Sequence, residues 1–169
     1  MFYAKYYLSP LGKILVVCES NSLVGLWFEN QKYYMANINE ELVFENSQAC
    51  NRVCEWLDRY FNGDINSTCD IKLCPKGTSF QKDVWKQLLK VNYGETKTYG
   101  EIADLIAQQY NIERISPRAI GHAIGKNPIS IIIPCHRIVG KNGNLTGYAG
   151  GLETKKWLLS FEAKNIKSK

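Results

Sequence analysis

Asn127-Pro128-Ile129-Ser130-Ile131-Ile132-Ile133-Pro134-Cys135-His136-Arg137-Ile138-Val139 is the most telling stretch of this 169-residue chain. Its apolar run, Ile129 to Ile133, predicts a buried strand. The strand delivers Cys135, and His136 and Arg137 follow at once. Thiolate rather than thiol is the nucleophile, and nearby cations and proton acceptors raise the thiolate fraction. Cys135 is therefore a candidate activated nucleophile. A buried, inert cysteine closing a strand fits a bare Cys-His pair as well, because neighbours on a strand point to opposite faces.

Outward from that stretch, the second half reads mainly as helices. Ser79 is placed at the cap of a helix carrying Phe80, Val84, Leu88 and Val91 on one face, ended by Asn92-Tyr93-Gly94. Thr98-Tyr99-Gly100-Glu101 is a capping box, with Thr at the cap and Glu three residues on. It opens a helix that buries Ile102, Leu105 and Ile106. Ser116-Pro117 opens another, with proline at the first helical position. Its linker, Ala107 to Ile115, is longer than a tight turn, but the pair suggests a helix-turn-helix. After the apolar run come a glycine-rich loop, Gly140 to Gly151, and a last helix from Leu152 to about Asn165.

The first half reads as strands followed by a helix. Phe2 to Leu8, Lys13 to Cys18 and Ser22 to Phe28 are expected strands, the first two joined as a hairpin by Ser9-Pro10-Leu11-Gly12. Ser47 is the expected cap of a helix with Val53, Trp56, Leu57 and Tyr60 on its apolar face and Gly63 as its stop. A short strand is expected over Cys69 to Leu73. Pro75-Lys76-Gly77 then punctuates the chain, and the boundary between two domains, 1–75 and 76–169, is placed there.

Charge supports that division. Residues 1–75 carry 6 basic and 9 acidic side chains, whereas residues 76–169 carry 15 and 7. A basic rear half suits a polyanion such as nucleic acid, although a lysine-rich solvated surface would look the same. With 45% hydrophobic and 22% charged residues, composition is ordinary for a globular chain and excludes a disordered or collagen-like one. No targeting segment is read at the start, and the longest apolar run falls far short of the ~20 residues a membrane helix needs. A cytoplasmic location is expected, or nuclear for a eukaryotic source. The six cysteines do not match a zinc finger or ribbon, and all but Cys135 are read as packing residues.

Pro134-Cys135-His136-Arg137 resembles the active-site signature of the O6-alkylguanine-DNA alkyltransferases (methylated-DNA–protein-cysteine methyltransferases). Gly77-Thr78-Ser79-Phe80-Gln81 with Val84-Trp85, and Gly94-Glu95-Thr96 with Thr98-Tyr99-Gly100, resemble that family's lead-in. Arg118-Ala119-Ile120-Gly121 and Asn127-Pro128 resemble its recognition helix and the turn after it. Thr146-Gly147-Tyr148-Ala149-Gly150-Gly151 and Trp157-Leu158-Leu159-Ser160-Phe161-Glu162 resemble its closing loop and helix. The likeness covers 77–162, while the first half matches only through Ser9-Pro10-Leu11-Gly12 and its strand pattern. Asn92 departs from the pattern, standing where the family often has proline.

The resemblance implies an α+β chain: a small N-terminal α/β domain of ribonuclease H-like fold, then a mostly helical, winged-helix-like domain with a helix-turn-helix. It implies DNA repair by irreversible transfer of the alkyl group of O6-alkylguanine, and also of O4-alkylthymine, to Cys135. Each molecule acts once and needs no cofactor. His136 would act on the thiol as a base through a water, and Glu162 would orient His136. Asn127 would hold the turn, and Tyr99 would donate to the base and press on the adjacent phosphate. The main-chain carbonyls of Cys135 and Ile138 would accept from the guanine amino group, and Tyr148, Ala149 and Gly150 would wall the pocket. Reaching O6 requires the nucleotide to be flipped out of the stack. Arg118 would fill the vacated space, while Ala119, Gly121 and Ala123 would permit close approach in the minor groove of double-stranded DNA.

Arg137 is read as pairing with an unidentified carboxylate, and His122 as a helix-surface histidine. Some relatives bind zinc in the first domain, but both histidines here lie in the second, so no metal site is expected. A monomer without membrane attachment or transcriptional role is expected. Two rivals remain at this level: a lesion-binding module of the alkyltransferase-like kind, against which Cys135 stands, and a cysteine hydrolase, which leaves the basic helices unexplained.

Overall fold

The computed structural model describes residues 1–66 and 69–168. Three strands, β1 (Phe2–Ser9), β2 (Gly12–Glu19) and β3 (Ser22–Phe28), form an antiparallel meander. Two short strands, β4 (Leu42–Val43) and β5 (Lys72–Leu73), pair in parallel at the edges and give the order β4-β1-β2-β3-β5. β2 is the central strand and is buried on both faces. Ile14, Val16 and Cys18 pack on one side, and Leu15 and Val17 on the other. That is why its sequence is a continuous apolar run rather than an alternating one.

One sheet face is covered by α1 (Gln48–Phe61), whose Val53, Leu57 and Tyr60 are buried; Ser47 caps it, accepting from the Cys50 N–H. The other face is closed by the 29–43 segment, which packs Ile38, Tyr34 and Met35 against Leu15, Val17 and Trp27. Gly25 is required here, since a Cβ on it would sit 1.9 Å from the Trp27 ring. The expected strand over Cys69 to Leu73 shortens to Lys72–Leu73. Cys74 is exposed and is therefore not a packing residue.

The second half contributes α2 (Ser79–Leu88), β6 (Lys97–Thr98), α3 (Tyr99–Gln109), α4 (Pro117–Gly125), β7 (Ile138–Val139) and α5 (Leu152–Lys167). Thr78 rather than Ser79 caps α2: its side chain accepts from the Gln81 N–H while Gln81 reaches back to the Thr78 N–H. Thr98 and Glu101 close the expected capping box on α3, and Ser116 caps α4. α3 extends to Gln109, so the connection to α4 is shorter than the 107–115 reading. One contiguous core links both halves, with Leu26 and Tyr60 in the same cluster as Trp85, Ile102 and Leu158.

The expected strand over Ile129 to Ile133 does not form. Only Ile129 makes a bridge, parallel to Leu26 of β3. The chain then turns, with Ile133 N–H donating to the Ile129 carbonyl at 3.1 Å and Ile131 at φ 69°. A left-handed β-branched residue costs of order 1–3 kcal/mol and persists only where its surroundings fix it. Here burial of Ile129, Ile131 and Ile133 and the Asn127 side chain do so. Hydropathy reported that this run is buried; it carried no information on whether it is extended.

Candidate active site

Cys135 opens a single 3-10 turn, Cys135–Arg137, immediately after that buried turn. β7 follows and pairs with β6 at the start of α3, fixing the turn against the helix-turn-helix. Asn127 organises the segment. Its Oδ1 accepts from the Ile129 N–H at 3.0 Å, and its Nδ2 donates to Ile133 O at 2.9 Å and to Ile129 O at 3.2 Å. The same Nδ2 lies 3.2 Å from Cys135 Sγ. Asn127 thus both holds the turn and points a donor at the sulfur.

Burial pushes the Cys135 thiol up from its ordinary value, opposed by the Asn127 donor, the Lys155 ammonium and Tyr148. At neutral pH the group is a thiol that needs a base. His136, fully buried, sets its Nε2 2.6 Å from Glu162 Oε2. Its other nitrogen, Nδ1, is buried without a partner among the described residues. Burial lowers the His136 pKa, offset in part by Glu162. A neutral ring that donates Nε2–H to the carboxylate leaves Nδ1 free to accept a proton.

Glu162 is the hub. Tyr60 Oη donates to its Oε2 at 2.6 Å, and Arg137 donates through Nε to Oε1 at 2.7 Å and through Nη2 to Oε2 at 3.2 Å. The carboxylate sought for Arg137 is therefore the one that orients His136. Burial would raise the Glu162 pKa, but His136 and Arg137 outweigh it and hold the carboxyl near 2. Arg137 spends a further donor on the Val91 carbonyl at 2.8 Å.

Lys155 was not singled out by sequence. Its ammonium is fully buried and donates to the carbonyls of Ile138, Thr146 (3.1 Å) and Gly147 (3.3 Å), and lies 3.5 Å from Tyr99 Oη. Burial lowers its pKa to about 8, and Cys135 partly offsets this. The sequence signal is that Lys155, Leu158 and Glu162 share the buried stripe of α5, where two charged residues are out of place. Tyr60 was legible only as a core residue, and its hydroxyl contact was not.

A cavity of about 590 Å³ opens onto Cys135 and is lined by Tyr99, Arg118, Gly121, Asn127, Tyr148 and Ala149. Gly150 supports its wall, since a Cβ there would meet the Tyr148 ring at 2.8 Å. Tyr99 Oη donates to the Thr146 carbonyl at 3.1 Å, so its proton faces the loop rather than the cavity. Arg118 and Ala119 are exposed on α4. Ala123 is not available to DNA: it is 3% exposed, facing α2, where Trp85 Nε1 donates to its carbonyl at 2.9 Å. Counting small residues along α4 did not separate its outer from its inner face. The Ile138 carbonyl is already held by Lys155 and the Cys135 carbonyl by the Ile138 N–H, leaving each one lone pair. Among the described residues, no three His, Cys, Asp or Glu side chains converge to hold a metal ion, and no helix is long and apolar enough to cross a membrane.

Residues 1–75 match the model of the 6-O-methylguanine DNA methyltransferase ribonuclease-like domain, and residues 79–164 match that of its DNA-binding domain. A methylated-DNA–protein-cysteine methyltransferase of Haemophilus influenzae is 42% identical over 164 residues, covering 95% of this chain and 86% of that one. One of Methanosarcina mazei is 44% identical over 159 residues, covering 94% and 96%. The crystal structure of Mycobacterium tuberculosis OGT in complex with DNA superimposes with a TM-score of 0.82 at 36% identity, covering 96% of this chain and 94% of that one.

Proposed function

The chain belongs to the 6-O-methylguanine DNA methyltransferase family, and from that premise we propose how its own residues repair DNA by moving an alkyl group from O6-alkylguanine to Cys135. The observation that carries the reading is a cysteine at the end of a cavity beside α4, backed by a His136–Glu162 pair. His136 Nδ1 takes the thiol proton through a bridging water. Its Nε2–H stays on Glu162, which stabilises the charged ring as the third member of a triad does. The thiolate attacks the alkyl carbon in line. The S–C bond forms, the C–O6 bond breaks with its electron pair left on the base, and the proton taken from the thiol returns to the guanine ring. The thioether is stable, so one molecule repairs one lesion.

O6 is inaccessible in a stacked duplex, and flipping costs a few kcal/mol. Arg118, exposed at the start of α4, fills the space the base leaves. Ala119 and Gly121 let the helix approach closely in the minor groove. Tyr99 turns its hydroxyl from Thr146 to the base, the spare lone pairs of the Cys135 and Ile138 carbonyls accept from the guanine amino group, and Tyr148, Ala149 and Gly150 wall it. Most remaining contacts are to phosphate. O4-alkylthymine, with the same activated oxygen, is a second substrate. The protein acts as a cytoplasmic monomer, and its two units meet at 75/76, between β5 and the Thr78 cap.

The test is to incubate the protein with duplex carrying O6-methylguanine and weigh it intact. A single gain of about 14 Da, absent in Cys135→Ala, is expected for transfer to this nucleophile. Binding of the duplex without a mass gain refutes the reading and leaves a lesion sensor.

A further inference from the structure

The Tyr148 hydroxyl stands out among the buried polar groups to which the mechanism gives no role. It is buried and completes no hydrogen bond among the described residues. Tyr148 belongs to the wall of the cavity that opens onto Cys135, with Ser130 also beside it. A buried phenol left idle costs free energy, and beside a nucleophile it is a candidate donor.

The polarity of this cluster is fixed from the other half of the molecule. Gln31, buried in the loop after β3, accepts the Phe28 backbone N–H at 2.8 Å. A backbone N–H can only donate, so the atom facing it is Oε1 and not the amide nitrogen. Ser130 Oγ approaches that same Oε1 at 3.2 Å. Ser130 must therefore spend its only proton on Gln31, and it can offer Tyr148 nothing but lone pairs. The phenol is left as the donor, with two neighbouring acceptors, Ser130 Oγ and the Cys135 sulfur. The backbone around Ser130 is bolted down by the same strand: Leu26 N–H donates to the Pro128 carbonyl at 2.8 Å and Ser130 N–H to the Leu26 carbonyl at 2.9 Å.

We propose that Tyr148 is a catalytic residue whose hydroxyl donates a hydrogen bond to the Cys135 thiolate while keeping its proton, and that Gln31 is a positioning residue that keeps this donor correctly polarised through Ser130. Deepening the repair reading, this rests on Cys135 being the nucleophile. In the resting thiol state the phenol completes no hydrogen bond among the described residues. As the thiol loses its proton the phenol turns to the sulfur, adding a second donor to Asn127 Nδ2. The N-terminal half then contributes to the chemistry through the Gln31 amide oxygen as well as through Tyr60 at Glu162. Charged and titratable groups around the sulfur are Lys155 from α5, Tyr99 from α3, His136 of the same turn, and Glu162 behind it.

The test uses the whole protein without DNA. Iodoacetamide alkylation of Cys135 is followed against pH, with peptide mass spectrometry separating it from the other thiols. Tyr148→Phe should raise the ionisation midpoint by about one to two units, the shift expected when a charged acceptor loses one donor. Gln31→Met, similar in shape but without the acceptor, should shift it the same way by less. Gln31→Glu, which restores an acceptor, should bring it back toward the parent value. An unchanged midpoint in Tyr148→Phe overturns the catalytic role. A shift in Tyr148→Phe with none in Gln31→Met overturns the positioning role. Thermal melts report folding of each variant, and Ser130→Ala probes the same link if Gln31→Met does not fold. A protein that shows these shifts yet takes no alkyl group from duplex would refute the repair reading and leave this one standing.

Discussion

Replacing Glu162 with glutamine should slow alkyl transfer far more than it destabilises the fold. The carboxylate receives Nε2–H of His136, the Tyr60 hydroxyl and two Arg137 donors. An amide of the same shape has only one oxygen. Arg137 Nε can only donate and makes the short contact to Oε1, whereas the Tyr60 hydroxyl and the His136 ring at Oε2 can each turn to accept, so the glutamine oxygen is held at the Oε1 position. The new NH2 then faces His136 Nε2. The ring answers by moving its proton to Nδ1, because Nε2 must now accept. Nδ1 is the nitrogen that has to take the thiol proton, and in this tautomer it cannot.

The corresponding change in a Ser-His-Asp triad costs about 10⁴ in rate, and general-base catalysis is typically worth about 10²–10⁴. A loss in that range is expected. Exchanging charge-assisted hydrogen bonds for neutral ones costs about 1–3 kcal/mol. Glu162→Ala is the contrast. It leaves the Arg137 guanidinium buried and unpaired, worth about 3–5 kcal/mol, or about 6–20 °C in Tm for a chain of this size. The assay is quenched-flow single-turnover transfer from O6-methylguanine duplex, paired with thermal melts. A Glu162→Gln protein that melts normally and transfers within about threefold of the parent would refute the tautomer argument, since that leaves almost none of the general-base contribution.

Further expectations follow from the same contacts. The folded Glu162 carboxyl titrates near 2 and the unfolded one near 4.5, so unfolding takes up a proton between those values and stability falls as pH falls through them. Urea midpoints measured across that interval should drop less steeply in Glu162→Gln than in the parent, and equal slopes would exclude Glu162 as the source. Arg118→Ala should slow repair of duplex while leaving reaction with free O6-benzylguanine nearly unchanged, because the side chain acts on flipping; equal losses on both substrates would remove that role. Leu158→Ala, at a fully buried position of α5, should cost about 2–5 kcal/mol, as for other buried leucines, and a Tm unchanged from the parent would contradict the shared core. Lys155→Met removes the donors that hold the Thr146 and Gly147 carbonyls, and faster amide exchange across 146–151 should accompany slower transfer; unaltered exchange would show that the loop is held by other contacts.

What the sequence alone determined is local or near-local. The caps at Ser47, Thr98 and Ser116 and the β1–β2 hairpin follow from hydrogen-bonding geometry and turn chemistry within a few residues. Cys135 and His136 could be located because their motif is contiguous. The tertiary structure decided what depends on residues far apart in the chain. It converted the Ile129–Ile133 run from a strand to a turn, because β3 pairs with it only as far as Ser130 and Asn127 holds the carbonyl of Ile133 beyond. It turned Ala123 inward against Trp85. It joined Arg137 to Glu162 and Tyr60, and brought Gln31 to Ser130 across 99 positions. Burial is written in hydropathy, but the partner of a buried polar atom is set by which surfaces the fold presses together, and side-chain type alone does not encode that choice.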